Sequence, residues 1–252
     1  MNHIYPGFKS RTITFQVTEN CCMACTYCFQ NHKTRNKMTF ETIKIFIDKL
    51  LNNEFSLITP ENTPFIVFEF FGGEPLMEID LINKAINYIY SEMIKKKHPW
   101  LYHSRFNICS NGLLYNNIKV QNFLKKFLGF GGIVITLDGN KELHDKCRID
   151  LNGDGTYDRI WENIQSFKNT FGRLPTTKVT LSPENIDYTS EALIDLINKN
   201  YIDISASCVF EKGWNYNHAK IYYNELKKVA DYLIYNNLYN KHNISFFGEK
   251  LY

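Results

Sequence analysis

Short runs of alternating or continuous apolar residues recur along this chain, and each is followed by a segment whose apolar residues return every three or four positions. Runs of the first kind are typical of strands, and segments of the second kind are typical of helices that bury one face. The pattern occurs six times. The predicted strands cover 12–18, 65–70, 105–109, 132–137, 178–181 and 202–208, and the apolar helix faces lie within 40–51, 81–89, 120–127, 160–167, 193–197 and 221–234.

Six strand–helix units in succession predict an α/β protein with parallel strands inside and helices outside. Eight units close a complete barrel, so six predict a partial, TIM-like (β/α)6 barrel. The strands at 12–18, 178–181 and 202–208 alternate polar with apolar residues, whereas a strand buried on both faces is almost wholly apolar. A polar inner face favours an open barrel around a polar ligand. An open doubly wound sheet remains the alternative.

Four of the seven cysteines lie within eight residues, in the run Cys21-Cys-Met-Ala-Cys-Thr-Tyr-Cys28. Cys21, Cys25 and Cys28 have the spacing C-x3-C-x2-C, which supplies three thiolates to one metal centre and leaves a fourth position open. Thiolates select zinc or iron–sulfur clusters, and such clusters normally take four cysteines. A cluster held by three would leave one iron free to bind an outside molecule. Cys22 is left out of this ligand set, because neighbouring side chains point in different directions.

A structural zinc site is the alternative for the same cysteines. Cys25 and Cys28 with His32, joined by Cys21 or Cys22, would make a Cys3His site. The remaining cysteines, which are predicted to be small buried side chains, are Cys109, Cys147 and Cys208.

Unusual residues collect where the predicted strands end and the helices begin, which is where parallel α/β folds place their reactive groups. The cysteine run follows the first strand. The later strands are followed by Gly72-Gly73-Glu74-Pro75, Ser110-Asn111-Gly112, Asp138-Gly139 with His144, Asp145 and Arg148, Ser182-Pro-Glu-Asn185, and Glu211. Their common location predicts one functional rim.

Composition narrows the choice of partners and compartment. With 252 residues, a formal charge of +3 and a pI near 8.3, the chain is too mildly basic to indicate nucleic acid binding. No apolar stretch approaches the ~20 residues that span a bilayer, and the first residues lack the pattern of a signal peptide. An odd number of cysteines, mostly clustered, fits a reducing compartment. We therefore expect a cytoplasmic protein without nucleic acid or membrane partners.

These motifs resemble those of the radical S-adenosylmethionine (SAM) enzymes. The resemblance rests on the C-x3-C-x2-C loop with Tyr27 before its last cysteine and on Gly72-Gly-Glu-Pro75, and it extends over essentially the whole chain. Thr136-Leu-Asp-Gly139, His144-Asp145, Arg148 and Gly153-Asp-Gly-Thr-Tyr157 resemble the branch that modifies peptides and proteins. His98-Pro-Trp100, Ser110-Asn-Gly-Leu-Leu-Tyr115 and Val209-Phe-Glu-Lys-Gly-Trp214 resemble the maturases of CXXX-repeat target peptides.

The resemblance implies a cofactor and a reaction. Cys21, Cys25 and Cys28 would ligate a [4Fe–4S] cluster, and SAM would chelate the fourth iron. Reductive cleavage of SAM would give methionine and a 5′-deoxyadenosyl radical that abstracts hydrogen from a peptide or protein. An electron donor such as flavodoxin or ferredoxin is implied as partner.

The resemblance also implies roles for the rim residues. Gly72 and Gly73 would let the backbone approach the SAM amino group, or they form only a tight turn. Glu74 would offer a carboxylate or fix that turn. Tyr27 would lie near the adenine. The remaining SAM contacts would be Ser110 with the ribose or carboxylate, Asn111 as a weaker candidate, and Arg148 with the carboxylate, although Arg148 could also be an ordinary ion-pair residue.

Several further expectations complete the hypothesis. His144 and Asp145 are predicted to hold the loop that presents Arg148. Asp150-x-Asn-x-Asp154-Gly is predicted to be a polar turn, because Trp161 stands where a calcium loop needs glutamate.

Residues 1–252 are predicted to be one radical SAM core with its cluster loop at 19–32. No cysteine follows Cys208, so the cysteine-rich SPASM extension usual in that branch is expected to be absent, and no catalytic acid is assigned. The alternative functions are action on a small molecule, activation of a glycyl-radical partner, or a zinc-stabilised binding module.

Overall fold

In the part of the chain that the structure describes, seven parallel strands form one sheet, and their spatial order, β1 to β7, is also their order along the chain. The computed structural model describes residues 10–30, 33–129 and 131–247. The strands are β1 (Ser10–Thr18), β2 (Phe65–Gly72), β3 (Ser104–Ser110), β4 (Gly131–Thr136), β5 (Thr176–Leu181), β6 (Asp203–Cys208) and β7 (Asn243–Ile244). The α-helices are α1 (Phe40–Leu51), α2 (Ile79–Lys95), α3 (Ile118–Phe127), α4 (Lys141–Cys147), α5 (Tyr157–Phe171), α6 (Thr189–Asn198) and α7 (Tyr216–Tyr235).

This strand order decides between the two predicted architectures. A doubly wound sheet reverses direction at a switch point, whereas here every strand pairs with the next one along the chain. Right-handed crossovers then place all the helices on one side of the sheet. Within the described residues β1 and β7 do not pair, so the barrel is open. The predicted partial barrel is confirmed, with one addition: β7 is a seventh, two-residue strand that pairs with Asp203 and Ile204 of β6.

The two faces of the sheet differ as the alternating pattern predicts. On β1, Ile13, Phe15 and Val17 are buried in the core beneath the helices, while Thr12, Thr14 and Gln16 on the other face are exposed. Glu69 on β2 faces the same inner side, where its carboxylate accepts hydrogen bonds from Thr14 Oγ1 and Asn107 Nδ2, both at 3.1 Å. The inner face of the barrel is therefore polar.

Helix α4 is the main element that the periodicity did not predict. It has seven residues, and only Leu143 and Cys147 among its apolar side chains are buried, which is too few to show a helical period. Asn140 caps it by accepting a hydrogen bond from the Leu143 backbone N–H. This short helix leads directly into the segment that carries Arg148.

Across the residues that the structure describes, no helix combines the length and the apolar character needed to cross a membrane.

Candidate metal centre and cofactor site

The cysteine loop after β1 is fixed on one side by the Gly-Gly-Glu turn after β2. The Gly73 N–H donates to Thr18 O and the Glu74 N–H to Asn20 O, each at 2.8 Å. A Cβ on Gly73 would lie 2.2 Å from Asn20 O, and one on Gly72 would lie 2.4 Å from Thr18 O. Both contacts are far too short, so these glycines are required for the close approach of the turn to the start of the cysteine loop.

On its other side the loop pairs with the segment that follows α4. The Ala24 N–H donates to Ile149 O and the Thr26 N–H to Cys147 O, each at 2.9 Å, and Met23 forms an antiparallel bridge with Asp150. The loop is thus held between backbone from two distant parts of the chain.

The thiols of this loop are free and half-buried. Asn111 Nδ2 lies 3.3 Å from Cys22 Sγ and 3.7 Å from Cys21 Sγ, so Asn111 lies directly against the loop. A hydrogen bond from Cys22 lowers the pKa of Cys21 to about 6. Burial raises the pKa of Cys25, and the nearby positive charge of Arg148 lowers it by less. In the described part of the chain, no three His, Cys, Asp or Glu side chains are gathered closely enough to hold a metal ion. The donor types and spacing fit a cluster, but the thiols must turn towards one another to bind it.

Glu74 connects the turn after β2 to the end of β3. Its fully buried carboxylate accepts hydrogen bonds from Ser110 Oγ at 2.8 Å, from the Asn111 N–H at 2.7 Å and from the Leu76 N–H at 3.0 Å. Burial raises the pKa of Glu74 to about 7, although all three hydrogen bonds act in the opposite direction. These hydrogen bonds fix the turn, and Ser110 Oγ also accepts one from the Gly112 N–H at 3.0 Å. The contacts of Glu74 and Ser110 with SAM stay predictions.

Arg148 is buried, with 5% of its surface exposed, and lies against the cysteine loop. Its Nη1 donates to Tyr27 Oη at 2.9 Å and its Nη2 lies 3.8 Å from Met23 Sδ. Its Nε is buried and has no hydrogen-bond partner among the described residues. Tyr27 Oη in turn donates to Asp138 Oδ2 at 2.5 Å. Burial raises the pKa of Tyr27 well above its usual range, so its phenol stays protonated. Only 5% of Tyr27 is exposed, and its hydroxyl points away from solvent.

His144 supports this arrangement from behind, as predicted. The Asp138 N–H donates to His144 Nδ1 at 3.3 Å, and His144 Nε2 lies 3.1 Å from Thr156 Oγ1, which donates to Arg148 O at 2.7 Å. Burial lowers the pKa of His144 well below its usual range, which keeps the ring neutral. Asp145 accepts hydrogen bonds from the Thr156 and Tyr157 N–H groups and so caps α5.

Sequence reasoning placed Asp138 on the rim without a role and missed Met23 and Thr156. The position of Asp138 directly after β4 was the available signal. Met23 and Thr156 carry none, because their contacts depend on the fold of the loops around them.

The structure also describes the Asp150 turn and the cysteines outside the loop, but not the histidine of the alternative zinc site. Asp150 Oδ1 accepts hydrogen bonds from the Asn152 and Asp154 N–H groups, and its Oδ2 pairs with Arg159 at 2.6 Å, so the predicted polar turn is confirmed. His32, the fourth ligand of the zinc alternative, lies outside the described residues. Among the other cysteines Cys147 is buried as predicted, but Cys109 and Cys208 are only half-buried.

The fold and this loop together define a class: an open α/β barrel that carries a loop of closely spaced free thiols after its first strand. The family model described as "4Fe-4S single cluster domain" matches residues 6–157. Because this range is more than half of the chain, the protein belongs to that family.

Curated relatives agree with this assignment. A cysteine-type anaerobic sulfatase-maturating enzyme of Clostridium novyi is 31% identical over 157 residues, which are 59% of this chain and 37% of that protein. An uncharacterized protein of Methanocaldococcus jannaschii is 37% identical over 191 residues, 73% of this chain and 58% of that protein. The radical SAM cyclopropyl synthase TigE of Paramaledivibacter caminithermalis is 23% identical over 214 residues, 80% and 41% of the two chains. The chain thus spans about 37–58% of the length of these relatives.

Solved structures show the same fold. The protein superimposes on native anSMEcpe with bound AdoMet with a TM-score of 0.71 and 18% identity, covering 94% of this chain and 64% of that chain. Streptococcus suis SuiB bound to its precursor peptide SuiA gives a TM-score of 0.61 and 14% identity, over 94% and 49% of the two chains. The predicted relationship to the radical SAM enzymes is confirmed. The assignment to maturases of CXXX-repeat peptides stays a prediction.

Proposed function

We propose that the protein is a radical SAM enzyme that modifies a peptide or protein. The observation that carries this proposal is the loop of three appropriately spaced free thiols, fixed at both sides, in a member of a [4Fe–4S] single-cluster family. Cys21, Cys25 and Cys28 are the proposed cluster ligands. When bound, such a cluster supplies one electron to SAM, whose cleavage yields methionine and a 5′-deoxyadenosyl radical.

The residues around the loop divide into supports and proposed SAM contacts. Glu74 and Ser110 bond to each other in the buried turn, which supports the loop from beneath. Asn111 is a proposed SAM contact, because its side-chain amide faces the thiols of Cys21 and Cys22 while its backbone is buried. The unpartnered Nε of Arg148 is a buried donor that suits an anionic group such as the SAM carboxylate.

Three other predicted SAM contacts keep their proposed roles in modified form. Gly72 and Gly73 are required by contacts within the protein, and their backbone remains the proposed neighbour of the SAM amino group. Tyr27 can offer adenine only the small exposed part of its ring, because its hydroxyl is bound to Asp138.

Two observations support a peptide substrate. The relatives include sulfatase-maturating enzymes, and the solved neighbours include enzymes with bound peptides, namely anSMEcpe with the Cp18Cys peptide and SuiB with SuiA. The polar inner face of the barrel, where Thr14 and Asn107 both donate hydrogen bonds to Glu69, suits the amide groups of a peptide. An electron donor such as flavodoxin or ferredoxin is proposed as the second partner.

The test compares two cysteine variants after anaerobic reconstitution with iron and sulfide. Cys25→Ala should lose the cluster absorbance and all cleavage of SAM to 5′-deoxyadenosine, because it removes a ligand. The matched control, Cys208→Ala at the end of β6, should keep both. A Cys25→Ala protein that retains the cluster would refute the ligand assignment, and a wild-type protein that binds zinc but no sulfide would refute the proposed function.

The substrate class is tested with deuterated candidates. Deuterium transferred into 5′-deoxyadenosine from a labelled peptide, and not from free labelled amino acids, would support peptide modification. The reverse result would contradict it.

A further inference from the structure

Arg148 and Cys25 lie directly opposite each other where the cysteine loop pairs with the segment after α4. The register follows from the Met23–Asp150 bridge and from the hydrogen bonds of Ala24 to Ile149 and of Thr26 to Cys147. Opposite residues of an antiparallel pair project to the same face. Met23 shares that face of the loop because it is two residues before Cys25. The turn closed by the Cys28 N–H to Cys25 O hydrogen bond then brings Tyr27 to Arg148. The contacts of Arg148 with Tyr27 Oη and Met23 Sδ agree with this placement over Cys25.

The charge of Arg148 at this position is not cancelled by an adjacent carboxylate. Within the described residues Arg148 forms no ion pair. The nearest acidic group in its network, Asp138, is separated from it by the neutral phenol of Tyr27. Asp138 Oδ1 is also held by the Thr180 N–H at 2.9 Å, which ties it to β5. A buried cation next to Cys25 and a buried anion behind it are therefore kept apart by a tyrosine.

Low-dielectric surroundings make such fixed charges effective over several ångströms. The reduction potential of an iron–sulfur cluster depends on net charge and hydrogen bonding around its ligands. A positive charge beside a ligand favours the reduced, more negative cluster, and a negative charge disfavours it. The two charges here act in opposite directions on one site.

We propose that Arg148 and Asp138, held apart by Tyr27, set the reduction potential of the cluster, with Arg148 raising it and Asp138 lowering it. This inference rests on the proposed function, because it requires a cluster on Cys25. It assigns Arg148 and Asp138 a role in tuning the cluster that is separate from any contact with SAM.

The experiment is a redox titration of the reconstituted full chain without SAM, with the paramagnetic reduced cluster measured by electron paramagnetic resonance. Arg148→Met should lower the midpoint potential, because the variant keeps much of the side-chain volume and loses the charge. Asp138→Asn should raise it, since the amide keeps the shape and loses the negative charge. Arg148→Lys should lie closer to the wild type than Arg148→Met. Arg159→Met, which removes a cation with a half-exposed side chain from the neighbouring turn, should leave the potential unchanged.

Opposite shifts in Arg148→Met and Asp138→Asn, with equal iron and sulfide content, would support the proposal, because a purely structural defect would not change sign between them. Equal or absent shifts would overturn it. Loss of the cluster from both variants would also overturn it, by showing that the residues retain the cluster instead of tuning it. If Arg148→Met alone loses the cluster, the direction of the Asp138→Asn shift decides. A wild-type protein that binds no cluster would instead refute the proposed function itself.

Discussion

At the scale of single residues, Glu74 shows how a polar side chain can be essential to a site that it does not enter. Sequence reasoning placed Glu74, Ser110 and Asn111 together on the rim but could not tell a ligand contact from a support. The distinction depends on burial and on hydrogen-bond partners, which only the folded chain defines. Here three donors converge on one carboxylate that has no exposed surface.

Glu74 should make the folded protein more stable at low pH than at neutral pH. Its pKa is raised from 4.5 to about 7 in the folded protein, so the folded state binds the proton more tightly than the unfolded state. The resulting stabilisation is fully present below pH ~4.5 and is lost as the pH rises through about 7, a change of roughly 3 kcal/mol at most.

Denaturant unfolding of the cluster-free protein between pH 4.5 and 8 measures this effect. Glu74→Gln should lose this component of the pH dependence and be less stable by about 1–3 kcal/mol at low pH, because one amide N–H would face a backbone or hydroxyl donor. Glu142→Gln, whose side chain is 81% exposed, is the control and should follow the wild type. A Glu74→Gln profile parallel to that of the wild type would contradict the assignment.

At the scale of elements, the order of strands and helices could be predicted because each unit carries its own hydrophobic period. The apolar face of α1 and the polar alternation of β1 are visible in the residues themselves. By contrast, α4 and β7 are short elements whose formation depends on neighbouring parts of the chain. The pairing of the cysteine loop with residues 147–150 likewise has no local signal, since a hydrogen bond between backbones leaves no mark in the side-chain pattern.

The contact between the turn at Gly72-Gly73 and the cysteine loop can be tested by a substitution in the turn. Gly73→Ala should push the turn away from Asn20 O, which lies 2.2 Å from the position of the new Cβ. We expect a loss of about 1–3 kcal/mol in the free energy of unfolding, together with impaired cluster uptake.

Gly213→Ala is the matched control, because a Cβ there meets no atom of the described residues within 4 Å. Thermal unfolding and iron content measure both consequences. Equal stability of the two variants would show that the turn can move without cost.

At the scale of the whole molecule, the sheet formed by the described residues ends at β1 on one edge and at the very short β7 on the other. β7 pairs with only two residues of β6, and Ser245 Oγ then accepts a hydrogen bond from the Ala206 N–H at 2.9 Å. Beyond that point, the outward-facing N–H of Cys208 has no partner among the described residues. The next amide, Val209 N–H, donates inward to Leu181 O at 2.8 Å.

Amide hydrogen exchange distinguishes these two neighbours. We expect the Cys208 amide to exchange at least ten times faster than that of Val209, because only the latter is bonded in the sheet. Residue-resolved exchange by NMR is the measurement. Equal protection of both amides would show that the edge of β6 is covered in solution.

The pairing of Tyr27 with Arg148 joins residues that are 121 positions apart in the chain. During synthesis the cysteines therefore leave the ribosome long before the segment that completes their binding loop. Until about residue 150 has emerged, the thiols belong to a loop secured on one side at most. We therefore expect the proposed cluster to be inserted late, after residues 147–150 have become available to pair with the loop.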